Sequence, residues 1–278
     1  MKRQDIVFLD GAMGTKLWEK AENKVPVWRY NIENPAIVSE VTREYVEAGS
    51  EIVQANTFGA NRYAVKTAGY AVGDVVGAGV RMAKEAAGNR AKVSLSVGPL
   101  PVLMEPYGDL TEEEAAEAFD EQIAPGVAAG ADLIAFETFM DADMMRVAVE
   151  AAARHGLPIL ATMTFTEVGK TIMGHSVEYF VEAMEGLPLE AVGLNCSLGP
   201  EKAVPIIAQF GQYTDLPLIL KPNAGRPITE NGQSRVEYDI DTFVADCLPA
   251  LEYNVKYIGG CCGSSPDYIR VLIRRIRG

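Results

Sequence analysis

The fold is indicated most clearly by the stretch Leu133-Ile134-Ala135-Phe136-Glu137-Thr138 and the segment Ala142–His155 that follows it. Its first four residues form a continuous apolar run, which is typical of a parallel β-strand buried on both faces. The segment after the polar pair is helix-like. A buried strand followed by a helix is one β/α unit, in which the helix covers a face of a parallel sheet.

The same unit recurs along the whole chain, which predicts an α/β protein. The candidate strands are Ile6–Leu9, Ile52–Ala55, Val93–Val97, Leu133–Phe136, Ile159–Met163, Ala191–Leu194, Leu218–Leu220 and Lys256–Ile258. The other helix-like segments are Pro35–Ala48, Val76–Ala87, Thr111–Ala129, Val177–Glu185, Glu201–Phe210 and the final Asp267–Arg277. Eight such units predict a single (β/α)8 TIM-type barrel, and the lack of a linker or composition break predicts one domain over residues 1–278. A doubly wound open sheet is the alternative, but it usually has fewer strands.

Composition and charge restrict the classes of function. The chain has 278 residues, of which 48% are hydrophobic and 23% charged, as in a soluble globular protein with a sizeable core. Its net charge of −13 argues against a nucleic-acid partner and against adhesion to anionic membranes. No stretch approaches the roughly 20 apolar residues of a membrane span, and Met1–Asp5 leads into a strand-like run instead of a signal peptide. We therefore expect a cytoplasmic protein in a reducing compartment, with thiols that are free or metal-bound.

Three of the four cysteines follow predicted strands, in Gly193-Leu194-Asn195-Cys196 and in Gly259-Gly260-Cys261-Cys262-Gly263. The active site of a β/α barrel lies at the carboxyl ends of its strands, so we expect these thiols on one face of the molecule. Three thiolates make a zinc site with an open fourth position, which is the catalytic and not the structural pattern. An open position beside three thiolates suits another soft ligand, such as a substrate thiol. We predict Cys196, Cys261 and Cys262 as the metal ligands and catalytic residues.

Other states of these cysteines stay open from the residues alone. A disulfide from Cys196 to one of the adjacent pair would leave the other thiol unexplained, and a disulfide within the pair would be strained. All three could also be inert thiols, since free cysteine is among the most buried residue types. The fourth, Cys247, lies in the apolar helix-like stretch Phe243–Leu248 and is expected in the core.

Two carboxylates, Asp10 and Glu137, also follow apolar strands at the predicted active-site face. Carboxylates there could hold an ammonium group by charge-assisted hydrogen bonds, or they could cap the next helix or bond a loop amide. The glycine-rich segment Asp10–Thr15 offers backbone amides close to a substrate, although it is not a Walker loop. Lys221, at the end of strand seven, permits a rival interpretation as a Schiff-base aldolase, which leaves the cysteines without a role.

These segments together resemble the homocysteine S-methyltransferase family, over essentially the whole chain. The resemblance is carried by Asp10-Gly11-Ala12-Met13-Gly14-Thr15, Ala55-Asn56-Thr57-Phe58-Gly59-Ala60-Asn61, Gly193-Leu194-Asn195-Cys196 and Gly259-Gly260-Cys261-Cys262-Gly263. Within the family, the chain is most similar to the homocysteine-binding module of cobalamin-dependent methionine synthases. That narrower match rests on Glu105-Pro106-Tyr107-Gly108-Asp109-Leu110-Thr111, Glu137-Thr138-Phe139-Met140-Asp141 and Lys221-Pro222-Asn223-Ala224-Gly225.

The resemblance implies a (β/α)8 barrel and a set of site residues. Cys196, Cys261 and Cys262 would bind Zn²⁺, and Asp10 and Glu137 would bind the amino group of L-homocysteine. The further residues expected at the site are Gly11, Ala12, Gly98 and Asn195 as substrate contacts, and Asn223 at the fourth zinc position without substrate.

The resemblance also implies a reaction. The homocysteine thiol would bind Zn²⁺ as a thiolate and attack an activated methyl group, giving methionine. The donor would be methylcobalamin on a corrinoid protein or module supplied separately, since one barrel uses up the 278 residues. Direct methylation from S-methylmethionine, S-adenosylmethionine or betaine is the alternative. A non-catalytic zinc-thiolate sensor or metal store is an alternative of another class.

Overall fold

The structure is a computed structural model, which describes residues 3–225, 227–230 and 233–278, with side chains described outside 226–236. Its strands are β1 Val7–Phe8, β2 Ile52–Gln54, β3 Lys92–Val97, β4 Leu133–Phe139, β5 Ile159–Met163, β6 Ala191–Asn195, β7 Leu218–Lys221, β8 Pro227–Glu230, β9 Gln233–Val236 and β10 Val255–Ile258. Its α-helices are α1 Met13–Lys20, α2 Tyr30–Glu33, α3 Pro35–Ala48, α4 Arg62–Thr67, α5 Val72–Ala87, α6 Glu112–Ala128, α7 Ala142–Ala153, α8 Val177–Ala183, α9 Pro200–Tyr213, α10 Ile240–Cys247 and α11 Pro266–Arg277.

Eight parallel strands form the central sheet. Their order is β1-β10-β7-β6-β5-β4-β3-β2, and a parallel bridge from Leu9 to Ile52 joins the two outer strands. The sheet is thereby closed into a barrel, with the helices between consecutive strands lying outside it. The predicted (β/α)8 TIM-type barrel is confirmed, and every predicted strand is present within a few residues of its expected bounds.

The helices begin where the sequence places capping residues. Thr111 caps α6 in a reciprocal capping box with Glu114, and Ser176 caps α8 by accepting a hydrogen bond from Tyr179 N. Both caps satisfy backbone N–H groups that have no partner within the helix. None of the helices in the described residues combines the length and the apolar character that crossing a bilayer requires.

The short helix α4 and the hairpin of β8 and β9 were not predicted. Helix α4 is capped by Asn61, whose side chain accepts from two backbone amides. Helix α10 contains most of the predicted helix-like stretch Phe243–Leu248 and ends at the buried Cys247. The antiparallel hairpin of β8 and β9 lacks the apolar run that marks the barrel strands. The Asn231-Gly232 dipeptide between its strands is the sequence signal that predicts a hairpin.

The barrel interior changes from apolar to polar along its strands. Inward-facing side chains alternate along each strand, and the lower layer is apolar, with Ile52, Ala135, Leu160 and Ile219 in one buried cluster. Two residues further along the same strands, the inward positions carry the buried polar side chains of Gln54, Glu137, Thr162 and Lys221. The carboxyl ends of the strands therefore present a polar floor to the loops above them.

Candidate metal centre and substrate site

The three predicted cysteines converge on one point at this end of the barrel. Their sulfur atoms all lie within 4.8 Å of one another, and the Sγ atoms of Cys196 and Cys262 are 3.7 Å apart. Cys196 follows β6, and Cys261 and Cys262 follow β10; these strands flank β7 on its two sides. A disulfide requires about 2.0 Å between sulfurs, so the thiols are free.

Backbone contacts hold the two cysteine loops above β7. Cys196 N donates to Lys221 O at 3.0 Å, and Cys261 N donates to Pro222 O at 2.8 Å. Cys196 itself has a φ of 60°, in the left-handed region. That conformation costs a non-glycine residue about 1–2 kcal/mol and persists where the surroundings impose it, which is common at functional sites.

The donor set fits a zinc ion. Two thiolates on a tetrahedral zinc, each at about 2.3 Å from the metal, are about 3.8 Å from each other, and Cys196 and Cys262 are 3.7 Å apart. Asn223, whose side chain also hydrogen-bonds Cys196, has a buried Oδ1 without a hydrogen-bond partner among the described residues. A buried carbonyl oxygen left unpaired costs about 1–3 kcal/mol. It is therefore a suitable fourth ligand.

The three thiols do not ionise alike. Hydrogen bonds from Cys261 and Cys262 lower the pKa of Cys196 to about 3, with smaller contributions from Ser197 N and Asn223, despite the opposing effect of burial. The hydrogen bond to Cys196 raises the pKa of Cys262 to about 11, and that of Cys261 is raised for the same leading reason. At neutral pH the protein alone thus favours one thiolate, and a cation bound among the sulfurs would favour ionisation of the other two.

Asn195 connects Cys261 to the neighbouring strands β4 and β5. Its Oδ1 accepts from Thr138 N at 2.7 Å and from Thr162 Oγ1 at 2.9 Å, while its Nδ2 donates to Thr138 Oγ1 and lies 3.8 Å from Cys261 Sγ. The side chain is fully buried. Outer hydrogen bonds of this kind fix the orientation of metal ligands, so the described contacts give Asn195 a positioning role.

Asp10 is held by a buried lysine. Its Oδ1 accepts from Lys221 Nζ at 3.0 Å and its Oδ2 from Gln54 N at 2.7 Å; Lys221 Nζ also donates to Gln54 Oε1 at 2.8 Å. Burial works against the charged lysine, but Asp10, Glu137 and Cys261 outweigh it and raise the pKa of Lys221. A Schiff-base lysine needs the opposite shift, which argues against the aldolase interpretation.

The cysteines open into a cleft of about 440 Å³ at the barrel mouth. Gly11, Ala12, Gln54 and Glu137 line it beside the three cysteines. Glu137 is 9% exposed and accepts a hydrogen bond from Ser96 Oγ. The cleft also has large apolar side chains that the sequence analysis did not single out: Met13, Trp18, Trp28 and Phe58.

Three of the predicted substrate contacts do not line this cleft: Asp10, Gly98 and Asn195. Gly98 lies under the Phe58 ring, where a Cβ atom would be 2.5 Å from a ring carbon. Phe58 belongs to the glycine-flanked segment after β2, so its place at a strand end was the signal that could have identified it. Gln54 carries the same signal as the last residue of β2.

Comparison with known proteins identifies the chain. The sequence model described as homocysteine S-methyltransferase matches residues 7–276. The chain belongs to the homocysteine S-methyltransferase family. The family assignment expected from the motifs is thereby confirmed.

The chain is also similar in sequence to two methionine synthases and similar in fold to a solved structure. The methionine synthases of Mycobacterium leprae and Mycobacterium tuberculosis are 28% and 29% identical over 296 residues, covering 96% of this chain. The chain spans about a quarter of their length, since it covers 24% of each. The homocysteine methyltransferase MmuM from Escherichia coli has a similar fold, with TM-scores of 0.82 for the oxidized form and 0.81 for the metallated form. These are 22% and 23% identical, with 98% of this chain and 96% of theirs covered.

Proposed function

We propose that this chain is a zinc-dependent methyltransferase that methylates the thiol of L-homocysteine to give methionine. The observation that carries the proposal is the convergence of three cysteine sulfurs within 4.8 Å, at a cleft that a buried carboxylate also lines. Membership of the homocysteine S-methyltransferase family supports the substrate and the reaction.

Cys196, Cys261 and Cys262 would hold the zinc ion, with the amide oxygen of Asn223 beside them in the absence of substrate. When bound, Zn²⁺ would supply the means of keeping a substrate thiol deprotonated at neutral pH. Asn195 would keep Cys261 in place through the hydrogen bond to its sulfur. A metallated form is known for the E. coli relative MmuM, which supports the metal.

The amino-acid end of the substrate would lie toward the barrel floor. Glu137 borders the cleft, and we propose that it binds the ammonium group together with Asp10 by charge-assisted hydrogen bonds. Ala12 N already donates to Ser264 O at 3.0 Å, so Gly11 is the better backbone donor in this loop. Gly11 cannot be replaced without a clash, since a Cβ atom there would be 2.5 Å from Ser264 O.

The methyl donor would enter from the open side of the cleft. We propose a methyl-corrinoid protein or module, since the curated relatives are methionine synthases of which this chain spans about a quarter. A cationic donor such as S-methylmethionine, S-adenosylmethionine or betaine is the second candidate. The aromatic rings of Trp18, Trp28 and Phe58 in the cleft favour it, because aromatic faces attract sulfonium and quaternary ammonium groups.

Turnover measured with each donor separately tests the proposal. We expect methionine from L-homocysteine with the methylated corrinoid protein, and loss of at least about 100-fold in rate for Cys196→Ala. Cys247→Ala is the matched control, since Cys247 is a fully buried thiol in α10. Methionine formation with a sulfonium donor alone would contradict the assignment of a corrinoid donor. Bound zinc without turnover on any donor would favour the sensor or metal store.

Location and partners stay predictions from composition. The net charge of −13 supports a protein without nucleic-acid or membrane partners, and the free thiols support a cytoplasmic location. Size-exclusion chromatography and fractionation of the native host would check them.

A further inference from the structure

Lys221 is a buried cation that no step of the proposed reaction uses. Its side chain is 6% exposed and that of its partner Asp10 is 1% exposed. A buried ammonium group loses several kcal/mol of hydration, which only good partners restore. Lys221 has such partners in Asp10 Oδ1 at 3.0 Å and Gln54 Oε1 at 2.8 Å.

The charges around Lys221 leave one negative charge uncompensated. Asp10, Glu137 and Lys221 line one small cavity of about 20 Å³, which shares Gln54 and Glu137 with the cleft. Two carboxylates and one ammonium group carry a net charge of −1, which one substrate ammonium group neutralises. Without the lysine, the cavity would be lined by two carboxylates and no cation.

Lys221 also connects the two ends of the proposed substrate site. Its carbonyl oxygen accepts from Cys196 N at 3.0 Å, and its register partner on β6 is Asn195, which contacts Cys261. Its ammonium group holds Asp10 and Gln54 at the other end. One residue of β7 therefore fixes the thiol-binding group relative to the amine-binding group.

We propose that Lys221 is a positioning residue that makes the site selective for thiols carrying an α-amino group, by holding Asp10 and Gln54 and leaving a single negative charge for one ammonium group. This rests on the proposed function and deepens it by naming the feature of the substrate that is selected. The recognised class is an α-amino acid with a side-chain thiol, as against a thiol carboxylic acid of the same length.

Two ligands that differ only in the amino group test the proposal: L-homocysteine and 4-mercaptobutanoate. Their dissociation constants are measured by calorimetry on the zinc-loaded protein and its Lys221→Met variant. We expect the variant to bind L-homocysteine about tenfold more weakly, the equivalent of one charge-assisted hydrogen bond. Binding of 4-mercaptobutanoate should change less than about threefold, since its contacts lie at the thiol and carboxylate ends.

Two further variants separate selectivity from folding. Lys221→Arg keeps the charge and should keep at least half of the wild-type preference for L-homocysteine, expressed as the logarithm of the affinity ratio. Lys256→Met removes a lysine that pairs with Glu190 at 2.8 Å near the amino ends of β10 and β6, and should leave both affinities unchanged. If Lys221→Met fails to fold, Lys221→Gln takes its place, because glutamine can still donate to Asp10 without a charge.

The outcomes are distinguishable. Equal weakening of both ligands by the neutral variants, or no weakening of either, would overturn the role of Lys221. The same holds if Lys221→Arg loses the preference as completely as Lys221→Met. A wild-type protein that binds neither thiol would overturn the proposed function itself, and the inference with it.

Discussion

Among the described residues, two clusters each bring three metal-ligating side chains together, and they differ in the hydrogen bonds that their ligand atoms already make. Cys196, Cys261 and Cys262 form one, and Asp141, Asp143 and His175 form the other, each with its ligand atoms within 4.8 Å. Distance alone would rank the two clusters equally.

The acidic cluster uses its atoms to build local structure. Asp141 caps α7 by accepting from Asp143 N and Met144 N, and His175 Nδ1 accepts from Ala142 N at 3.0 Å. The carboxylate of Asp143 accepts from Tyr179 Oη at 2.9 and 3.1 Å. These lone pairs are taken by N–H and O–H donors, so a cation would have to displace the start of a helix.

The sulfur atoms of the cysteine cluster, in contrast, take no part in starting a helix. Its sulfurs hydrogen-bond chiefly to one another, to Ser197 N and to the amides of Asn195 and Asn223, and they face a cleft. Cys196 and Thr138 are both held at positive φ beside it. Backbone strain of this kind persists only where the surroundings maintain it. Here it occurs beside sulfur atoms that are available to bind a metal, which distinguishes the cysteine cluster from a chance grouping.

Removing one member of each cluster gives the largest expected difference. Cys196→Ala should lower zinc affinity by more than about 100-fold, because even outer contacts to ligands are worth about 10–100-fold. His175→Ala should leave zinc content unchanged. Metal analysis of the purified variants after dialysis against a weak chelator measures both. Equal loss of zinc in the two variants would contradict the assignment of zinc to the cysteine cluster alone.

Asn195→Ala should give an intermediate effect, because it removes the hydrogen bonds that orient Cys261 and Thr138. We expect zinc affinity to fall about 10–100-fold while all three ligands remain. Competition with a chromophoric chelator measures the affinity. Asn254→Ala is the control, since the described hydrogen bonds of the Asn254 side chain go to the carbonyls of residues 215 and 216. Unchanged zinc affinity in Asn195→Ala would remove its positioning role.

Asp141→Ala should give the smallest effect of these substitutions, and the effect should be on folding stability and not on metal binding. Loss of the α7 cap should lower the free energy of unfolding by about 1 kcal/mol, with no change in zinc affinity. Urea denaturation measures the first and chelator competition the second. Ser176→Ala, which removes the cap of α8, provides a matched comparison. A drop in metal affinity for Asp141→Ala would show that the acidic cluster is more than a helix start.

The barrel and the meeting of the cysteines were predictable from sequence for a physical reason. A parallel strand buried on both faces must be apolar throughout, so the strands appear as separate apolar runs. The topology then places every strand end at one face, which brought Cys196 together with Cys261 and Cys262.

The polar floor of the barrel was only partly predictable. The ion pair of Lys221 and Asp10 joins residues 211 positions apart, across β7 and β1, which are separated by β10. No local pattern marks such a pair, so Lys221 suggested a nucleophile when taken alone. The amide side chain of Asn195 likewise suits a substrate contact. Only the structure shows that its oxygen and nitrogen already make four contacts with protein atoms.

Zinc K-edge X-ray absorption, with and without L-homocysteine, counts the sulfur neighbours of the metal and so tests whether the substrate thiol binds it. In the protein alone we predict three sulfur neighbours and one lighter neighbour, as Cys196, Cys261, Cys262 and the Asn223 oxygen would provide. On addition of L-homocysteine we predict four sulfurs. A fully folded, reduced protein that binds no zinc, or a zinc whose neighbours stay the same when the thiol is added, would contradict this prediction.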